Sequence, residues 1–166
     1  RLSTWIGDGG SPESVVRAAR YGLPLTLAII GGDPRRFAPF VALYHRALDH
    51  MGKPDLPIGV HSPGYIAESG AQGGEDLCLP YSEMPNRIGR ERGWPPMSRA
   101  EFEHEIESGS LYAGAPDTVA KKIAATVQGL GFSRFDMKYS AGTLPHDKMM
   151  RCIELYAREV MPRVRE

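Results

Sequence analysis

Apolar positions along the chain switch between two periods, one suited to strands and one to helices. Residues 3–6 form a short apolar, β-compatible stretch. Residues 12–21 follow with Val15, Ala18 and Ala19 on one helical face, and Gly22 closes the helix as a glycine just past a helix end commonly does. Residues 25–30 are a near-continuous apolar run, which predicts a parallel strand buried on both sides. After the break Gly31-Gly32-Asp33-Pro34, residues 35–51 place Phe37, Phe40, Val41, Tyr44 and Leu48 at i, i+3, i+4 spacing, a second helix. Residues 58–67 predict a third strand, with an interruption expected at Pro63-Gly64.

From residue 68 to 113 the rhythm is lost. Gly, Pro and charge dominate residues 69–96, which predicts a long functional or disordered loop. Only residues 99–108 have helical character there, with Ser98 as N-cap and Glu101 three positions on. The rhythm then resumes with a helix at 116–128, a fourth strand at 135–139 and a closing helix at 145–160. Met149, Ile153, Tyr156 and Val160 are the expected inner stripe of that last helix. Four strand-then-helix units predict an α/β fold with a parallel sheet and right-handed crossovers. The pattern leaves open an open layer or an arc of a barrel. A shorter echo, Gly10-Ser11-Pro12-Glu13-Ser14-Val15 against Gly114-Ala115-Pro116-Asp117-Thr118-Val119, reads as two helix starts with Pro in the first turn.

Composition narrows the function classes. The 166 residues are 42% hydrophobic and 24% charged, with 20 basic side chains balancing 20 acidic ones. That balance gives no electrostatic reason to expect nucleic acid or an anionic membrane as partner. The densest basic stretch, at Arg87, Arg90 and Arg92, is interrupted by Glu91 and reads as a solvated surface. The longest apolar run is far shorter than a membrane span needs. Cys78 and Cys152 are the two cysteines, a usage that suits reduced thiols and a cytoplasmic protein. No metal site is expected, because His45, His50, His61, His104 and His146 have no ligand spacing.

Two glycine-rich turns are the candidates for ligand binding. Gly7-Asp8-Gly9-Gly10-Ser11 lies between a strand and a helix N-terminus, where free amides favour an anion. Ser11 and Ser14 would add hydroxyls, whereas Pro12, Asp8 and Glu13 oppose the assignment, so a structural turn stands as the other reading. Gly31-Gly32 lies at the C-terminal end of a strand, the side on which parallel α/β folds bind ligands. It fits either the approach of a flat ring or a tight turn. No catalytic base is identified: His61 has no evident partner, and His146 opens the last helix.

Several stretches together resemble the luciferase-like flavin-dependent monooxygenase family. They are Gly9 to Pro24 with its Ala18-Ala19-x-x-Gly22-Leu23-Pro24 ending, Arg90 to Pro96 with Gly114 to Val119, and the tail from Phe135 to Arg165. The resemblance implies the C-terminal half of a (β/α)8 barrel, since a whole one needs on the order of 250 residues. It makes the chain a single partial domain, 1–166, with 68–113 inserted between the third and fourth strands. It also places the FMN phosphate at Gly10, Ser11 and Ser14, beside Gly9 of the same loop. Gly31 and Gly32 would flank the flavin.

The implied parent is a monooxygenase that oxygenates a small organic substrate with O2 and reduced flavin, which a separate reductase would supply. A deazaflavin (F420) hydride-transfer enzyme on the same barrel is the close alternative. A second alternative is a non-catalytic half-barrel whose exposed edges drive self-association into a homo-oligomer. A third is an unrelated phosphate-binding βα enzyme.

Overall fold

The computed structural model describes residues 2–165. Five parallel strands make one sheet: β1 (Ile6–Asp8), β2 (Leu25–Ala28), β3 (Ile58–Ile66), β4 (Tyr112–Gly114) and β5 (Arg134–Lys138). β1 pairs with β2 and β2 with β3, in the registers Ile6↔Leu25 and Leu25↔Ile58. The far side of β3 is shared. Its residues Gly59 to Pro63 pair with Arg134 to Lys138 of β5, and Gly64 to Ile66 pair with Tyr112 to Gly114 of β4.

The expected interruption at Pro63-Gly64 is therefore a change of partner within an unbroken nine-residue strand. Gly64 is required at that fork. A Cβ there would lie 2.8 Å from the Tyr112 carbonyl oxygen and would run into the Met137 side chain.

The helices around this sheet are α1 (Pro12–Tyr21), α2 (Ala38–His50), α3 (Gly70–Arg92), α4 (Arg99–Glu107), α5 (Pro116–Leu130) and α6 (His146–Leu155). A 3-10 turn, Pro34–Phe37, leads into α2. α6 continues through a π-helical turn, Tyr156–Val160, into α7 (Met161–Arg165). Caps follow the expected chemistry. Ser11 accepts the Ser14 amide at the start of α1, Gly22 takes the left-handed conformation after it, and Ser98 and Glu101 form a reciprocal capping box on α4.

The described residues hold two apolar cores. One joins α1 and α2 to the sheet through Val15, Ala18, Leu25, Leu27, Tyr44 and Val60. The other packs α3, α4, α5 and α6 around Tyr65, Leu77, Phe102, Tyr112, Ile123 and Cys152.

Four further expectations are corrected. β1 starts at Ile6, because pairing with β2 begins there, so Gly7 and Asp8 belong to the strand and not to the loop. β2 is buried on one face only: Leu25, Leu27 and Ile29 are buried, whereas Thr26 and Ala28 are half-buried and Ile30 is 60% exposed. Its other side belongs to a concave face that this chain leaves largely open.

In the closing helix, the inward positions are Cys152, Leu155 and Val160, with Met149 and Tyr156 packed beside them. Ile153 is exposed. Finally, much of the expected loop at 69–96 is α3, a 23-residue helix containing Pro80 and Pro85.

Long-range contacts hold α3 against its poor local propensity. Asp76 takes the Lys148 ammonium at 2.5 Å and the Tyr65 hydroxyl at 3.1 Å. Glu83 accepts from the Thr143 amide and hydroxyl, and Asn86 from the Met97 amide. Gly73 lets the helix pass over β4, where a Cβ would sit 3.1 Å from Gly114 Cα.

Gly64→Ala is expected to destabilise the fold by about 1–3 kcal/mol, because the Tyr112 carbonyl is backbone and cannot swing aside. Thermal unfolding of the variant beside wild type measures this, and an unchanged Tm would remove the fork from the account.

Candidate functional site

Parallel strands alternate their side chains between two faces, so register alone assigns the concave one. Thr26, Gly59 and Arg134 form one layer there, and Ala28, His61 and Asp136 the next. Pro63 and Lys138 lie beyond, toward the C-terminal ends of the strands. Trp5 lies across the first layer. A Cβ on Gly59 would be 3.2 Å from its ring, and the Arg134 guanidinium sits 5.3 Å from the ring centroid while pairing with Asp136 at 2.9 Å.

Over the upper layers α3 roofs a cavity of about 360 Å3. Its floor is Ala28, Ile30, His61, Pro63 and Gly64. Leu77, Pro80, Tyr81 and Met84 form the roof, and Leu111, Lys138, Ser140, Ala141 and Gly142 close the sides. The lining contains no carboxylate, and Lys138 is its one ordinarily charged group. The Lys138 ammonium donates to the Ser140 carbonyl at 2.9 Å. Tyr81 packs its ring on Phe102. Its hydroxyl has no hydrogen-bond partner among the described residues. Burial first, then the Glu105 carboxylate, pushes that phenol up to about 12.

Of the histidines considered from the sequence, His61 borders this cavity. His45 pairs with Asp55 at 2.8 Å on the surface, and His104 lines a separate groove beside Trp94. His50 and His146 are exposed at helix ends. The Cys152 thiol is buried and accepts the Ile66 amide at 3.2 Å, and burial raises its pKa.

The glycine-rich turns lie outside the cavity lining, and the amides of Gly10, Ser11 and Gly32 are already engaged. The buried Asp8 carboxylate accepts the Gly10 amide at 2.9 Å and the Ser11 amide at 2.8 Å. Ser11 donates its hydroxyl to Glu13 at 2.9 Å, and Glu13 also takes its own amide; both bonds lower its pKa. Ser14 accepts from the exposed Arg17 guanidinium at 2.9 Å, which leaves the Ser14 hydroxyl proton free. Gly9 has open space around it.

At the second turn, the Gly32 amide donates to both oxygens of Glu105 at 2.9 and 3.1 Å, with Gly32 in the left-handed conformation. Arg36 donates to the Gly31 carbonyl.

Glu105 is thus a positioning residue that the sequence did not reveal, since it lies 73 residues from Gly32. Its helix is anchored in turn by Lys122 of α5. That ammonium donates to the carbonyls of Glu105 (3.2 Å), Ile106 (2.6 Å) and Leu111 (2.9 Å), and stands 5.0 Å from the Tyr112 ring centroid. Burial lowers the Lys122 pKa to about 8, with Glu105 opposing the shift.

Neither a family model nor a curated protein matches the chain. Solved structures do. The monooxygenase RslO1 from Streptomyces bottropensis aligns at 21% identity and a TM-score of 0.77, over 95% of this chain and 47% of its own. The oxygenating constituent of 3,6-diketocamphane monooxygenase from a Pseudomonas putida plasmid, a type II Baeyer-Villiger monooxygenase in complex with FMN, aligns at 16% identity and 0.73, over 95% and 47%. The coenzyme F420-dependent tetrahydromethanopterin reductase of Methanopyrus kandleri aligns at 17% and 0.64, over 98% and 51%. At these identities the likeness is one of fold. The chain has the α/β architecture of the luciferase-like (β/α)8 barrels and spans about half the length of the structures it matches.

Lys122 ties folding stability to pH. In the folded chain it gives up its proton near pH 8, whereas the unfolded side chain keeps it to about 10.4. Between those values the unfolded state binds more protons, so the contribution to stability rises with pH. Urea unfolding of wild type against Lys122→Met is expected to show a wild-type advantage that grows from about pH 8 to about pH 10, where tyrosines begin to titrate. A difference that shrinks over that window would refute this account.

Proposed function

We propose that this chain is the C-terminal half of a flavin-dependent oxidoreductase barrel, and that the complete barrel is an FMN-dependent monooxygenase acting on a small organic substrate with O2. The observation that carries the reading is the apolar cavity at the C-terminal ends of parallel strands. That is where (β/α)8 enzymes build their sites. The similarity of fold to monooxygenases, one of them solved with FMN, supports it. Bound there, a flavin supplies the redox chemistry, and this chain supplies binding, orientation and exclusion of water.

The phosphate loop fits its group in part. The Gly10 and Ser11 amides turn inward to Asp8, so an anion outside the loop meets side chains and not a backbone cradle. We place the phosphate against Ser11 and Ser14, at the open flank of Gly9, with Arg17 as the nearby cation. Gly31 and Gly32 would then serve the cofactor through the turn geometry that Glu105 imposes. F420 in place of FMN is the variant reading, favoured by the likeness to F420-dependent enzymes. A separate flavin reductase is the expected partner for the monooxygenase. Self-association into a homo-oligomer is the competing role, favoured by β1 and β5, each paired on one side only.

Titration with FMN and with F420, followed by cofactor fluorescence, tests the reading. FMN is expected to bind, and Ser14→Asp to weaken it by about tenfold or more through like-charge repulsion. Unchanged affinity in Ser14→Asp would remove the loop from the site. Binding of F420 alone would decide the cofactor against FMN.

A further inference from the structure

We infer that two copies of this chain close one (β/α)8 barrel. β1 of each copy pairs in parallel with β5 of the other, and Leu2 and Ile6 of one copy sit in the groove between β5 and α6 of its partner. This rests on the half-barrel architecture and not on the cofactor. It specifies the partner for the self-associating role, in which the second copy takes the place that the rest of a single-chain barrel would fill.

The two ends of the sheet are unfinished. Among the described residues β1 pairs with β2 alone and β5 with β3 alone, so each presents a row of unpaired amides and carbonyls. All pairings are parallel, and a copy turned about an axis along the strands keeps their direction while bringing its β1 to the free edge of β5. Curvature sets the number of copies. The chain spans about half of the barrels it matches, so a half-turn completes the circle. A head-to-tail contact that would otherwise propagate therefore closes at two.

Side chains on the two edges fit each other. Arg134, Asp136 and Lys138 of β5 point to the concave face, which leaves Phe135, Met137 and Tyr139 toward the helices. With Ile153 and Tyr156 they line a groove along the free edge. Parallel strands are normally covered on both faces. Here Phe135 and Met137 are half-buried, and Tyr139 and Ile153 are exposed. The groove is short of one strand's apolar side chains, and β1 carries them. Trp5 and Gly7 lie on the concave side, so Leu2 and Ile6 share the other by parity. Leu2 is 94% exposed, and it stands four residues from Ile6, as Phe135 does from Tyr139. The cavity beneath α3 gains from the same closure. Ile30 of its floor, exposed on the concave side, leaves it open there, and the second copy supplies the missing wall.

Sedimentation velocity of the chain is expected to give a dimer. Leu2→Asp and Ile153→Asp should each weaken it by about tenfold or more, since a carboxylate would be buried in an apolar groove. Far-UV circular dichroism of both variants should match wild type, because both side chains are exposed in the single chain. Cross-linking with a short bis-maleimide, in a Cys78→Ser background, tests the pairing itself. A chain carrying Leu2→Cys and Ile153→Cys together should give a covalent dimer, and either substitution alone should give none, because the contact is head-to-tail. A monomer at every concentration overturns the inference and leaves both edges to the remainder of a longer barrel. Cross-links in a single variant, a ladder of higher species from the double one, or a dimer indifferent to both aspartates overturn it as well. FMN titration is read separately: a monomer that binds FMN sinks the pairing and spares the oxidoreductase reading, and a dimer that ignores FMN does the opposite.

Discussion

β3 is the strand on which everything else is hung. It is the strand with three partners, β2 on one side and β5 then β4 on the other, and both apolar cores are built against it. The change of partner at Pro63-Gly64 works because neither residue obstructs it. Proline has no amide to leave unpaired, and glycine has no side chain to block the converging strands. The same two residues form part of the cavity floor. The close approach that makes the sheet fork also creates the hollow that α3 covers.

The supports of the site form a relay. Lys122 holds the carbonyls that end α4, α4 presents Glu105, and Glu105 fixes the turn after β2 that leads down to Ala28 and Ile30. On the opposite side, Asp76 and Glu83 of α3 bind α6 and the loop after β5. Each link joins groups remote in sequence. The roof therefore depends on tertiary structure being in place, and it has little helical tendency of its own.

That dependence explains what could be read from the chain beforehand. Regular strand-helix units, the Ser98 capping box and the Gly22 helix end were legible, because local periodicity and capping chemistry decide them. α3 was not, since six Gly and Pro residues lie within it and its stabilising partners are distant. Nor was β4, whose three residues become a strand only by meeting the end of β3. The cavity illustrates the same point: His61 stood out as an isolated histidine, but Tyr81 and Lys138 come to it from segments that nothing local connects. The glycine-rich loop was legible as a turn. That its amides face Asp8 and not outward was not, because Asp8 lies on the strand and its carboxylate folds under the turn.

Trp5 has one more implication. The chain has two tryptophans, and they report on different places. Trp94 is 57% exposed just past α3, whereas Trp5 lies over Gly59 beside the Arg134 guanidinium on the open concave face. Indole emission depends on solvent exposure and nearby charge. In a Trp94→Phe background, Trp5 is thus a built-in optical gauge of whether that face is bare or covered.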